Sequence, residues 1–290
     1  MADDAGHLSS PHPFLYEGLI RAALAEDLGL AGDLTTDSIV PPGLRAAASI
    51  VARSAGRIAG TEVAFSVFRL LDGEIEAEMR IPDGKDVPAG AELMTLRGPA
   101  RAILTGERIA LNLLQRMSGI ATATREIVAA VARWPARVVC TRKTTPGLRL
   151  LEKYAVRAGG GFNHRFGLDD AVLIKDNHLV VSGGVAEAVR RVRRQAGHMV
   201  KLEVEVDTLE QLVEALALKV DAVLLDNMPT ETLARAVRMA SGKAITEASG
   251  GITAATAAEV AATGVDLLSV GWITHSAPAL DISLDFLPAE

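Results

Sequence analysis

Among 290 residues there is one cysteine, Cys140. With no second thiol an intramolecular disulfide is excluded, and its place inside the apolar run RVVC (Arg137 to Cys140) marks a small core residue rather than a nucleophile, as expected in a reducing, cytoplasmic setting. Positive charge is not in excess either. The 30 Lys and Arg against 36 Asp and Glu give a net charge of -6 and a pI near 5.6, so no global basic field exists to attract nucleic acid or an anionic membrane. No apolar run reaches the roughly 18 residues that a membrane-spanning helix needs. The opening MADDAGHLSSPHP lacks the basic and apolar regions of a secretory signal, and residues 1–13 read as a loose tail. Cys and His at zinc-ligand spacing are missing, so any bound metal is expected to be hard. Apolar residues are plentiful at 49%, enough for a sizeable core in one large or two smaller domains.

The chain divides into two unlike halves. Apolar spacing predicts a helix from Phe14 to about Leu28, followed by the turn-rich loop DLGLAGDLTTDSIVPPG. ASIVAR (Ala48 to Arg53), EIEAEMR (Glu74 to Arg80) and AELMTLRG (Ala91 to Gly98) read as strands, with TEVAFSVFRLL (Thr61 to Leu71) as a helix among them. This predicts an α+β unit with a mainly antiparallel sheet. A long helix follows, roughly Gly106 to Trp134, joining the halves. Beyond Pro135 strand and helix alternate: strands at 137–141, 171–174, 200–206, 221–225, 244–248 and 266–270, with helices such as VAEAVRRVRRQ and TETLARAVRMA between them. Such alternation implies right-handed βαβ units and a parallel sheet, most simply curled into a six-stranded barrel that is open or incomplete, with a doubly wound open sheet as the alternative. The expected divisions are a tail at 1–13, an N-terminal domain at 14–118, a barrel at 119–273 and a C-terminal segment at 274–290.

Barrel active sites form where strands end. The first strand runs into Arg142 and Lys143, the second into Lys175, Asp176, Asn177 and His178, the third carries Glu203 and Glu205 on one face, and the fourth ends in Asp226 and Asn227. The fifth ends in EASGG and the sixth in SVG, Gly-rich turns suited to holding phosphate on backbone N–H groups. Taken singly, Asp226 reads equally well as a cap of the following helix, Glu205 can be read the same way, and Lys175 can be read as a snorkelling surface lysine. As a group they describe a site. Glu205 and Asp226 suit a Mg²⁺ ion shared with phosphates. Arg142, Lys143, Lys175, His164 and Arg165 form a surplus of cations that calls for a second, carboxylate-bearing anion, and two anions in one site point to group transfer.

The blocks TRKTTPGLRLLEKYAV, GGGFNHRFGLDDAVLIKDNH, EVEVD, LLDN, EASGGI and THSAPALDISLDF, with EDLGLAGDLTTD near the start, closely resemble the quinolinate phosphoribosyltransferase family over nearly the whole chain. The resemblance implies an N-terminal α/β sandwich domain plus an open α/β barrel, in a homodimer whose site is completed by the partner. It implies the joining of quinolinate to phosphoribosyl pyrophosphate with Mg²⁺, giving nicotinate mononucleotide, pyrophosphate and CO₂. By motif match Arg142, His164, Arg165 and Lys175 would hold the quinolinate carboxylates, with Thr141 beside them and Lys143 near the reacting centre. Glu205 and Asp226 would organise Mg²⁺ and the ribose pyrophosphate. Ser249, Gly250, Gly251 and the Ser269 to Gly271 turn would hold phosphate, and Arg108 would reach the partner's site. Arg108, Asn112 and Gln115 form a polar stripe on the long helix, for which solvent exposure is the plain alternative. Trp272 stands where the family has a small residue, and could pack against the N-terminal domain or narrow the site.

Three rival functions are compatible with parts of this pattern. A barrel enzyme forming a Schiff base through Lys143 or Lys175 does not account for Glu205 and Asp226. A paralogue acting on another pyridine carboxylate would keep most of the motifs. A non-catalytic anion-binding protein would need the phosphate turns but not the paired carboxylates.

Overall fold

The computed structural model describes residues 8–288. A short 3₁₀ turn precedes α1 (Glu17–Leu28) and α2 (Leu34–Ile39); β1 (Arg45–Ala52), β2 (Gly56–Arg57), α3 (Thr61–Leu71), β3 (Glu76–Met79), β4 (Asp86–Val87), β5 (Glu92–Pro99) and the long α4 (Ala100–Val131) follow. Then come β6 (Arg137–Val139), α5 (Arg149–Ala158), β7 (Val172–Ile174), α6 (Asp176–Ser182), α7 (Val185–Gln195), β8 (Leu202–Val206), α8 (Leu209–Ala217) and β9 (Ala222–Asp226). The chain closes with α9 (Thr230–Ala240), β10 (Ile245–Ser249), α10 (Ala254–Ala261), β11 (Leu267–Ser269), α11 (Trp272–His275) and β12 (Ile282–Phe286).

Two compact units result. The first takes the described residues up to Arg125, then Thr144–Gly160 and the chain from Thr274 on; the second takes Glu126–Lys143 and Gly161–Ile273. The sequence boundary drawn at 118/119 thus falls inside α4, and α5, expected in the barrel half, belongs to the first unit. The reason lies in its charges. Glu152, 1% exposed, accepts from Arg116 Nε at 3.1 Å and from the Thr145 N–H at 3.0 Å, so a buried carboxylate is matched within that unit. No periodicity announces such a partner.

In the first unit the sheet runs β12-β1-β5-β3, antiparallel throughout. Its alternating strands bury Ala48, Ile50 and Ala52 of β1 and Met94 and Leu96 of β5, and α3 supplies the fully buried Val63, Ala64, Val67 and Phe68. At about 25 cal/mol per Å², such side chains contribute about 1.5–3 kcal/mol each when taken from water. The loop predicted between Asp27 and Gly43 contains α2, capped by Asp33, whose carboxylate accepts the Thr36 N–H at 2.9 Å. Strand β12 pairs β1 from Ala48↔Phe286 to Ala52↔Ile282, so residues from the chain's end form an edge of the first sheet.

The second unit is a wholly parallel sheet in the order β6-β11-β10-β9-β8-β7. Its edges are β6 and β7, consecutive in the chain, so the curled sheet stays open where a closed barrel would pair them. All six predicted strands are present; four are a residue or two shorter than predicted, and β9 and β10 keep their five-residue length shifted by one position. Val204, Val206, Val223, Leu225 and Ala248 are buried on one face; the opposite face carries the charges described below.

Gly119 lets α4 pass the C-terminal segment within the first unit: a Cβ there would lie 2.0 Å from the Pro278 carbonyl oxygen. Gly119→Ala gains about 1 kcal/mol of helix propensity but meets backbone that has nowhere to go, and should be net destabilising by about 1–3 kcal/mol. Thermal unfolding checks this: a Tm lowered by several degrees is expected, whereas Gly18→Ala in α1, with nothing within 4 Å of the added methyl, should leave Tm unchanged or slightly raised.

Candidate functional site

Parallel pairing fixes which side chains share a face. Glu205 pairs with Leu224, Leu224 with Glu247, and Glu247 with Leu267, so these stand in one row on one face of the sheet. Stepping by two along each strand puts Glu203, Asp226, Ser249 and Ser269 on that same face, and Ser249 is directly beside Asp226. Glu203, Glu205 and Glu247 are 8%, 8% and 1% exposed. Three carboxylates inside one open sheet cannot be a solvated surface.

Their partners come from the strand-end loops. The Lys175 ammonium donates to Glu205 Oε2. Lys175 also caps the short α6, where the expected KDNH cluster turns into helix: the Lys175 N–H donates to His178 Nδ1 at 2.9 Å, so His178 serves the cap. His164 Nε2 lies 2.8 Å from Glu203 Oε2 and 3.6 Å from Glu247 Oε2. These three side chains are the only group of three or more metal-competent residues among the described residues. Glu203 Oε1 and Glu247 Oε1 are buried without a hydrogen-bond partner. Burial pushes Glu247 up to about 7, and the Glu203 charge pushes the same way; His164, the Ser269 hydroxyl and Lys175 oppose the shift.

At the end of β6, Cys140 is fully buried and its Sγ lies 3.3 Å from Asn163 Oδ1, which places it in the core. Thr141 Oγ1 accepts the Lys143 N–H at 3.0 Å, folding the TRK turn back on itself. Arg142 Nε is buried with no hydrogen-bond partner. The Arg165 pKa is lowered, first by burial and then by the nearby Arg142 guanidinium, against the pull of Asp170 and Glu203. Two guanidinium groups held within electrostatic reach, one with a buried unmatched N–H, form a cradle prepared for an anion.

At the end of β9, Asn227 adopts φ +50 and its Nδ2 donates to Asp226 Oδ2 at 2.6 Å. Gly250 has φ +105, and a Cβ there would meet Asn227 Oδ1 at 2.1 Å, so the ASGG turn requires glycine for conformation and for space. The Trp272 indole N–H donates to the Ile252 carbonyl at 3.0 Å. This indole therefore braces the segment following the Gly250–Gly251 turn, a role that the sequence alone does not reveal. Gly271 precedes it at the end of β11.

The predicted Arg142, His164, Arg165, Lys175, Glu205, Asp226, Ser249 and Ser269 all belong to this unit. Arg108 belongs to the other, exposed on α4 with a 3.9 Å ion pair to its neighbour Glu107. Gln115, on the same stripe, is not a solvated residue: its Nε2 donates to the Ile282 carbonyl at 2.5 Å, tying the C-terminal strand to α4. Sequence reasoning noticed Glu203 and passed over Glu247. The available signal was a single charge in the middle of the apolar strand AITEA.

Because the folded-state pKa of Glu247 lies above its unfolded value of 4.5, folding takes up a proton; this group's stability contribution is complete below pH 4.5 and is lost as pH rises through about 7. Glu247→Gln should remove that slope. Denaturant unfolding at a series of pH values is expected to show wild-type stability falling relative to the variant, by on the order of 1–3 kcal/mol, between about pH 5 and about pH 8. Parallel curves would contradict the assignment.

Comparison with known proteins agrees with this arrangement. The family model "Quinolinate phosphoribosyl transferase, N-terminal domain" matches residues 33–118, and "Quinolinate phosphoribosyl transferase, C-terminal domain" matches 120–285. A relative from Bacillus subtilis, named as a probable carboxylating nicotinate-nucleotide pyrophosphorylase, is 47% identical over 92% of this chain and 92% of its own. The nicotinate-nucleotide pyrophosphorylase of Mycobacterium leprae is 47% identical over 92% of this chain and 95% of its own. A solved structure of the Francisella tularensis nicotinate-nucleotide pyrophosphorylase superposes with a TM-score of 0.92 at 40% identity, covering 97% of this chain and 99% of the other. The chain therefore belongs to the quinolinate phosphoribosyltransferase family.

Proposed function

We propose that this protein transfers the phosphoribosyl group of phosphoribosyl pyrophosphate to the ring nitrogen of quinolinate and releases CO₂, forming nicotinate mononucleotide and pyrophosphate. The observation that carries this reading is the paired Arg142 and Arg165, with the Arg142 Nε buried and unmatched. A site that accepts guanidinium repulsion inside a protein is built for a ligand that removes it. Two adjacent carboxylates on a flat ring fit that requirement.

In the reaction the quinolinate nitrogen bonds to C1 of the ribose as the C1–O bond to pyrophosphate breaks, through a state with oxocarbenium character. The pyridinium formed is an electron sink. The bond from the ring to the adjacent carboxylate then breaks, its electron pair staying on the ring carbon until a proton arrives. The chain's work in this scheme is positioning: Arg142, Arg165 and Lys175 hold the carboxylates, Thr141 fixes the turn that presents Arg142, and Lys143 lies near the reacting centre. The Ser249–Gly251 and Ser269–Gly271 turns offer backbone N–H groups to phosphate.

Mg²⁺ fits the donor set. Glu205 and Asp226 are hard oxygen ligands on neighbouring strands of one face, and each has an oxygen not used by Lys175 or Asn227 in the contacts above. When bound, the ion would neutralise pyrophosphate charge. The Glu205 ion pair also occupies the Lys175 nitrogen that a Schiff base would require, which favours phosphoribosyl transfer over that rival. Homodimerisation, with Arg108 completing the partner's quinolinate site, accounts for an exposed arginine on α4 whose one ion pair among the contacts above is the 3.9 Å pair to its neighbour Glu107. No helix among the described residues is long and apolar enough to cross a membrane, and the one thiol is buried; both fit the proposed cytoplasmic location.

Purified protein with Mg²⁺, phosphoribosyl pyrophosphate and quinolinate should yield nicotinate mononucleotide and CO₂; turnover of nicotinate in place of quinolinate, without CO₂, would overturn the assignment. Arg142→Ala should lower kcat/KM for quinolinate by about 100-fold or more, since a buried charge-assisted contact of about 3 kcal/mol is lost. Near-normal turnover would contradict the cradle. Mixing inactive Arg108→Ala and Arg142→Ala subunits should restore up to roughly a quarter of wild-type activity, because half of the random dimers then hold one intact site. Absence of any recovery after subunit exchange would count against a shared site.

A further inference from the structure

Asp226, at the end of β9, has its carboxylate held by a single protein group. Asn227 Nδ2 donates to Asp226 Oδ2 at 2.6 Å, and this is the only hydrogen bond that carboxylate accepts among the described residues. Neither residue caps the next helix, because the N-cap of α9 is Pro229, with no side-chain hydrogen bond. The cap reading of the Asp-Asn pair is thereby removed. Glu205, on the neighbouring strand, is buried and paired with Lys175. Asp226 is only half-buried, so its rotamer depends on the amide beside it.

The orientation of that amide follows from chemistry. Oδ1 in the place of Nδ2 would set two acceptors 2.6 Å apart, so the N–H end faces Asp226 and the carbonyl end faces Gly250. Backbone geometry holds it there. Asn227 has φ +50, a left-handed conformation that Asn tolerates better than most side chains do. Its N–H donates to the Ser249 carbonyl at 2.9 Å, extending the pairing of β9 with β10 past Ser249↔Asp226. Across that pairing, a Cβ on Gly250 would lie 2.1 Å from Asn227 Oδ1 and 2.7 Å from its Cγ, so the amide is seated directly against the turn. One side chain therefore meets both the carboxylate on its own strand and the glycine on the next.

We infer that Asn227 is a positioning residue for phosphoribosyl pyrophosphate: its amide sets the Asp226 carboxylate and backs Gly250, fixing the separation between the acid proposed for Mg²⁺ and the turn proposed for phosphate. With Oδ2 engaged by the amide, Asp226 Oδ1 is the oxygen left for the ion. Carboxylates that ligate metals are themselves hydrogen-bonded, and losing that outer partner costs about 10–100-fold in metal affinity or activity. Asparagine meets both demands of the position. Glycine would accept the positive φ but has no N–H to give, and aspartate would set a second carboxylate against the first. Quinolinate is assigned to cations on the loops after β6 and β7, neither of which is a neighbour of β9 in the sheet, so its binding is not the task of Asn227.

The kinetic consequence rests on the roles proposed above for Asp226 and the Ser249–Gly251 turn, whereas the geometry does not, and two experiments keep these apart. Asn227→Gly keeps the left-handed backbone and removes the amide. Against a wild-type crystal structure, ligand-free Asn227→Gly should show the Asp226 carboxylate moved to another rotamer or divided between two, with β9 and β10 in place. An unchanged Asp226 overturns the inference whatever the enzyme does. In steady-state kinetics with Mg²⁺, Asn227→Gly should raise KM for phosphoribosyl pyrophosphate about 10–100-fold and leave KM for quinolinate within about 3-fold of wild type. Equal rises in both would mean general loosening of the site and would sink the assignment. Asn227→Ala removes the same amide but adds left-handed strain. If Ala is impaired and Gly is not, backbone conformation is what matters and the inference fails. If wild-type protein does not turn over quinolinate at all, the proposed reaction falls while the crystallographic result stands by itself.

Discussion

Charge buried on the inner face of an open parallel sheet is the constraint from which the rest of the second unit follows. Glu203, Glu205 and Glu247 lie almost wholly out of water, and an isolated carboxylate there would cost several kcal/mol. Each is compensated from a different direction. Glu205 meets Lys175 from the loop after β7, Glu203 meets His164 from the loop after β6, and Glu247 is relieved by holding its proton to higher pH. The loops are thus tied to the strands by electrostatics as much as by packing, and Lys175 and His164 are held over the acids beneath them.

That arrangement separates the site into layers with different tasks. The deeper acids, Glu203 and Glu247, face His164. The upper row, from Lys175 and Glu205 across to Asp226 and Ser249, stands at the strand ends where ligands enter a fold of this kind. Glycine at 250, forced by a positive φ and by the nearby Asn227 side chain, makes the Ser249–Gly251 turn depend on its neighbouring strand. Trp272 then ties down the following segment through Ile252. The bulky ring is in this case a brace.

The first unit solves a different problem. It gathers α4, α5 and the C-terminal strand around a mainly apolar sheet, with Glu152 and Arg116 as a buried matched pair and Gln115 joined to the Ile282 carbonyl. The segment Thr144–Gly160 belongs to this unit although it is flanked in sequence by barrel strands. Within it, the Thr145 N–H donates to the buried Glu152 carboxylate.

Local pattern determined much of this protein by itself. The strand and helix alternation, the antiparallel first sheet, the exact span of α3 from Thr61 to Leu71, and the clustering of Arg142, Lys175, Glu205 and Asp226 at strand ends are all written in periodicity and in residue type, because a two-residue pleat and a 3.6-residue turn act over short stretches of chain. What only the tertiary structure decided depends on partners far apart in sequence. Whether the barrel closes between β6 and β7, that α5 sides with the first unit, and that Glu203 and Glu247 both face His164 are facts about which buried groups meet, and spacing along a chain carries no record of that.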